Sequence, residues 1–289
     1  MSYRSLIVLS VSLVVVACGG EDPPAGPAET PPAPCPSGRG PAMVRIPMSE
    51  GRSACIDATE VTREQYAAFL ADSNAHGAGS RLESCGIAPY KDEPDAACLA
   101  EPVVCKGDCA RHPQVCVSHC NAQAFCKWAG KRLCGTLAGV RATATAMIDA
   151  RVATWVSACG GGSTATGALN NDYAYGADFD GNKCNTEGRA GTGCKVAPST
   201  CGTVPVGSLP ECRGAGVYSQ IFDLSGNVHE WIGLTDEAAA ALNPQASYLG
   251  GSFGRAIFSG SRDFSCLGTN GSTTVSIPFS NVGFRCCAD

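Results

Sequence analysis

Asp223-Leu224-Ser225-Gly226-Asn227-Val228-His229-Glu230-Trp231 is the stretch on which the fold turns. Read alone, it is a turn capped by Asp223. Gly226 lets the chain reverse, and Asn227 supplies hydrogen bonds to the backbone. Trp231 then enters the interior. The turn closes a long segment, 157–215, that is rich in Gly, Asn, Asp, Ser and Thr. A loop of that length inside a domain needs fastening. Cys159, Cys184, Cys194, Cys201 and Cys212 lie in it and can provide that.

Cysteine dominates the rest of the chain as well. There are 19 among 289 residues, with 35 Gly and 18 Pro. So many cysteines fit an oxidising compartment. Charged residues make up 16% and the formal charge is −5. No basic run is present, which argues against nucleic-acid binding. No heptad pattern supports a coiled coil, and no apolar run reaches the length of a membrane span.

The N-terminus reads as an address. Residues 1–17 form a signal peptide, with Arg4 before a twelve-residue apolar run that ends at Ala17. Val15-Val16-Ala17-Cys18-Gly19 resembles a bacterial lipobox, which makes Cys18 the expected lipidation site. Gly19 carries no inner-membrane retention signal, so the expected location is the outer membrane, on its periplasmic side or at the cell surface. Several acyl chains on one cysteine anchor a protein stably. Residues 18–34 are a Pro/Gly-rich tether, and the folded domain is expected over 35–289. The 18 cysteines after Cys18 suit disulfides, in a connectivity that spacing leaves open. No C-x2-C pair or His doublet suggests zinc.

Local patterns predict two helices. One covers 63–71, with Thr62 as N-cap, Gln65 completing a capping box, and Val61 stapled to Tyr66. The other covers 119–129, capped by Ser118 and stopped by Gly130. A third, interrupted by glycine, is expected over 136–150. Strands are expected at 43–46, 248–249 and 282–285.

Two motifs are read and set aside. Gly250-Gly251-Ser252-Phe253-Gly254 matches the nucleophile-elbow pattern, but no His follows His229, so the required chain order fails. Asp178-Phe179-Asp180-Gly181-Asn182 starts like an EF-hand loop. Its glycine is two positions early and Arg189 stands where the closing Glu belongs, so it reads as a turn.

Six strings in order resemble the sulfatase-modifying-factor family, whose founding member is the formylglycine-generating enzyme. They are Glu60–Tyr66, His112–Ser118 with Ala122–Leu133, Pro205–Ser208, Asp223–Trp231, Leu249–Phe253 and Gly283–Cys286. They cover roughly 43–287. The resemblance implies one irregular α+β domain, a variant of the C-type lectin fold, loop-rich and disulfide-rich. It implies a pairing of Cys159 with Cys286 or Cys287. It also implies a structural calcium ion on Asp223, Gly226, Val228 and Glu230, two carboxylates and two carbonyls that suit a hard cation. The family's other calcium site finds Asn185 but meets Pro198 where an Asp belongs.

The family's oxidase holds copper on two cysteines five residues apart, just after the Gly-Gly-Ser string. Those positions are Arg255 and Gly260 here, and neither is a thiolate ligand for Cu(I). Copper is therefore not expected, and no residue is assigned a catalytic role. The helical iron-binding motif of a related branch is also missing. The expected function is a non-catalytic binding or accessory module on a lipid anchor. Its cleft would lie beside Ser252 and Arg255, with a protein or glycan as ligand. The alternative is a formylglycine-generating-type oxidase acting on a cysteine of a protein substrate.

Overall fold

A computed structural model describes residues 33–73, 85, 91–105, 107–189, 191, 201–254, 263–268 and 271–289. The unit Pro34–Asp289 contains two small sheets. The first is built from β1 (Met43–Pro47), β2 (Ser53–Asp57), β3 (Arg132–Leu133) and β8 (Cys286–Ala288), in the order β1-β2-β8-β3. The second is built from β4 (His229–Trp231), β5 (Gln245–Leu249), β6 (Ser272–Thr274) and β7 (Val282–Phe284), in the order β6-β5-β4-β7. β4 runs parallel to β7 and antiparallel to β5. The chain passes from the second sheet to the first at Arg285, the single residue between β7 and β8.

The helices form where side chains close their open ends. Helix α1 (Arg63–Ala71) begins with a capping box. Thr62 Oγ1 accepts from the Gln65 amide at 3.2 Å, and Gln65 Oε1 accepts from the Thr62 amide at 2.9 Å. After a short α2 (Ala96–Leu99), α3 (His119–Trp128) uses Ser118 and Asn121 in the same reciprocal way. Tyr66 and Phe69 of α1 meet Phe125 and Trp128 of α3, and Phe284 closes the cluster. Two more short helices follow, α4 (Thr154–Cys159) and α5 (Asp236–Ala240).

The helix expected over 136–150 does not form. Gly139 sits at φ 76, in the left-handed region, and β-branched Thr136, Val140, Thr143 and Thr145 disfavour a helix around it. The segment holds a bridge from Thr136 to Ala153 and one 3-10 turn, Ala146–Ile148. The helix proper begins later, at Thr154.

All seventeen cysteines among the described residues are disulfide-bonded. The implied partner of Cys159 is corrected: it bonds Cys266, while Cys286 bonds Cys126 and Cys287 bonds Cys134. The sheet register explains the exchange. β3 lies beside β8, with Leu133 opposite Cys286 and Arg132 opposite Cys287, so Cys134 and the C-terminal part of α3 are the neighbours within reach. These three bridges span 160, 153 and 107 residues. On the chain-entropy estimate each removes between roughly 4 and 5 kcal/mol of unfolded-state freedom. Cys184–Cys212 ties down the long loop. The signal, Cys18 and nearly all of the tether lie outside the described residues, as does Cys194.

Candidate functional site

The Asp223–Trp231 turn is held by its own side chains. Asp223 and Asn227 take left-handed conformations, at φ 63 and φ 60, which Asp and Asn tolerate better than other non-glycine residues. Gly226, at φ 113, lies against the Asn185 carbonyl. A side chain there would place its Cβ 2.7 Å from that oxygen. Asn227 is the hub. Its Nδ2 donates to Glu60 Oε1 at 3.0 Å, and its Oδ1 accepts from the Val204 amide and from Asn185 Nδ2. Its backbone carbonyl accepts from the Phe253 amide. The turn therefore carries the Gly250–Gly254 string beside it.

Ser252 is buried, and its hydroxyl accepts from Asn281 Nδ2 at 3.0 Å and from the Gly254 amide at 3.3 Å. The Asn281 carbonyl in turn accepts from the His229 amide. Ser252 thus joins the starts of β4 and β7, and the partners of its hydroxyl are amides, not a general base. Arg255 and Gly260 lie outside the described residues, so the expected cleft is described only on its Ser252 side. A cleft of about 870 Å³ lies elsewhere, between the β1–β2 turn and the loop after α4.

Glu230 does not face the turn as a free carboxylate. Arg285 is fully buried and grips it twice, from Nε to Oε2 and from Nη2 to Oε1, both at 2.7 Å. Trp155 Nε1 adds a third donor at 2.8 Å. Nη1 donates to the Asp57 carbonyl, and Nη2 donates to the Phe222 carbonyl as well. Asp57 caps the neighbouring Cys286 amide and pairs with buried Lys131 at 2.6 Å.

Asp223 differs. Its Oδ2 accepts from the Gly207 amide, while its buried Oδ1 has no partner. Glu60 Oε2 likewise has no hydrogen-bond partner, and the charges of the two carboxyl groups influence one another. Burial and the neighbouring Asp223 push Glu60 well above the usual carboxylate range, and burial raises Asp223 to about 6. One shared proton or one cation would satisfy both free oxygens. Asp223 therefore fits a calcium ion as a ligand, and Gly226 and Val228 lie on the same turn. Glu230, already holding a guanidinium, does not fit. Among the described residues, no group of three or more His, Cys, Asp and Glu side chains is arranged around a metal position. Copper does not fit either, because every described cysteine is spent in a disulfide.

Glu60 and Arg285 stand in the quoted strings, yet neither was singled out from sequence. An isolated charge in an apolar run, as in Val282-Gly283-Phe284-Arg285-Cys286, was the signal available for Arg285. Buried charges of that kind occur paired. Asp178-Phe179-Asp180 is the turn expected of it, with Asp180 Oδ1 accepting from the Asn182 amide.

His229 is buried at the start of β4. It fills the place as a neutral ring, 5.1 Å from the Tyr248 ring, and burial lowers its pKa to about 3. The native state then binds fewer protons than the unfolded chain between pH 6.5 and that value. Stability is lost as pH falls through this window. Wild type should lose about 1.4 kcal/mol per pH unit relative to His229→Phe below pH 6.5, read from denaturant unfolding at several pH values. A difference that does not vary with pH contradicts a neutral buried ring.

A family model described as the sulfatase-modifying factor enzyme 1-like domain matches residues 46–289. No curated protein matches. Three solved structures are similar in fold. CarF is 21% identical, with 82% of this chain and 86% of that one covered at a TM-score of 0.48. PvdO from Pseudomonas aeruginosa is 17% identical, with 86% and 90% covered at 0.48. Treponema denticola variable protein 1 is 15% identical, with 85% and 94% covered at 0.47.

Proposed function

The chain belongs to the sulfatase-modifying factor enzyme 1-like family, and from that membership we propose a lipid-anchored envelope protein whose domain binds or assists a partner and performs no oxidation. One observation supports this reading: Arg255 and Gly260, not cysteines, stand at the two positions where the family resemblance puts the copper thiolates. The frame around them is kept. The Asp223–Trp231 turn, the Ser252–Asn281 contact and the β4–β7 pairing are all built. A frame that keeps its support and lacks its ligands is suited to recognition. The ligand class is a protein or a glycan, met outside the cytoplasm, where disulfides persist. The anchor is lipid on Cys18, at the outer membrane.

The same reading includes a structural calcium ion. Asp223 Oδ1, buried without a donor, supports it, with the Gly226 and Val228 carbonyls from the same turn and Glu230 left to Arg285. Calcium bound there would supply positive charge to a buried carboxylate and hold the turn closed. It would take no part in chemistry.

Two measurements test these proposals. The mature protein, incubated with copper, oxygen and a C-x-P-x-R peptide, should leave the peptide mass unchanged. Conversion of its cysteine to an aldehyde sinks the non-catalytic reading. For calcium, a chelator should lower the melting temperature of wild type and leave Asp223→Ala unaffected. No chelator effect, with no calcium found by elemental analysis, assigns the free oxygens of Asp223 and Glu60 to a shared proton instead.

A further inference from the structure

Asp172-Tyr173-Ala174-Tyr175-Gly176-Ala177-Asp178-Phe179-Asp180 interleaves three acids with three rings and contains no Lys or Arg. The rings form a continuous row. Tyr173 and Tyr175 stack at 5.7 Å, Tyr173 meets Phe179 at 5.5 Å, and Phe179 stacks on Phe264 at 5.6 Å. Phe264 is buried and lies directly on Gly251, where an added Cβ would come within 2.3 Å of its ring. The row therefore begins at the string that holds Ser252 and runs outward. The Asp172 carbonyl accepts from the Cys266 amide, beside the Cys159–Cys266 bridge, and Ser225 of the motif turn accepts from the Ala174 amide.

Phe179, between Phe264 and Tyr173 in the row, is 40% exposed, and Asp172 and Asp178 are exposed as well. Phe179 thus offers an aromatic ring to solvent beside exposed carboxylates. The charge says what suits it. The stretch carries three of the chain's carboxylates and no cation, and aromatic faces attract cations. The protein makes one such contact itself, with Lys183 Nζ 5.2 Å from the Tyr175 ring centre.

We propose that the Tyr173–Tyr175–Phe179 row and its aspartates form a docking surface for a basic segment of a partner protein, taking a Lys or Arg side chain over Phe179. This deepens the binding-module reading and rests on it. The peptide-oxidation assay decides between binding and catalysis, and a failure below leaves that result untouched.

The test titrates the full-length mature protein, in detergent, with the peptide acetyl-Gly-Arg-Gly-Arg-Gly-amide and with the same peptide carrying citrulline for arginine. The arginine peptide should bind saturably, and the citrulline peptide should not. Affinity should fall several-fold between about 0.01 M and about 0.15 M salt, as exposed charges become screened. It should fall about two- to fivefold in Phe179→Ser, the range of an exposed cation–π contact, and comparably in Asp178→Asn. Val217→Ser, at another exposed apolar side chain, should bind like wild type. Unchanged melting temperatures certify that the variants fold. Absence of binding, equal binding of the citrulline peptide, or wild-type affinity in both Phe179→Ser and Asp178→Asn overturns the proposal. Displacement of the arginine peptide by maltotriose overturns it in favour of a glycan.

Discussion

Arg285 and Glu230 make one fully buried ion pair, and the two sheets meet through it. Arg285 is the residue at which the chain leaves β7 for β8. Its guanidinium holds Glu230 of β4, the carbonyl of Asp57 at the end of β2, and the carbonyl of Phe222 just before the motif turn. Trp155 of α4 completes the shell around the carboxylate. Such a pair costs several kcal/mol per ion to desolvate, and good geometry with further hydrogen bonds must offset that cost. Here every oxygen of Glu230 and three of the guanidinium nitrogens are bonded. The pair is worth most as a specifier of position. It brings four separate segments to one point, and a slip of β4 or β7 would strand a charge in the interior.

The motif turn hangs from that point. Asp223 and Asn227 bend the chain, Gly226 passes the Asn185 carbonyl, and Asn227 binds Glu60 and the Ser252 string. The proposed role of this frame is to support a binding surface. The described cysteines are all consumed in bridges. Binding readings then look to the loops, where the aromatic row 173–179 runs out from Gly251 beside a disulfide. Stability held in cross-links, with little regular structure, leaves such loops free to vary in sequence.

What could be read from sequence was local or tied to family strings. Helix α1 was legible because Thr62 and Gln65 close it within four residues. Helix α3 was legible because Ser118 and Gly130 bracket an apolar stripe. The six strings marked the family and the α+β class. The glycine-interrupted helix expected over 136–150 does not form, because the left-handed Gly139 and its β-branched neighbours end it. Cys159 was given a partner by resemblance, and only the β3–β8 register shows that Cys126 and Cys134 occupy the places beside Cys286 and Cys287. Glu230 was given a calcium role by the family resemblance, and its partner Arg285 lies 55 residues away. A long-range pairing of that kind leaves no periodic trace. The free oxygen of Asp223 is likewise a fact of packing.

The dependence of the fold on the buried pair can be measured by a double-mutant cycle on unfolding free energy, using Glu230→Ala, Arg285→Ala and the double variant. Each single change should cost about 3–5 kcal/mol, because each leaves an uncompensated buried charge. The double variant should cost far less than the sum, so that the coupling is large. Single changes that cost less than about 1 kcal/mol and simply add would show that the two sheets do not depend on this pair.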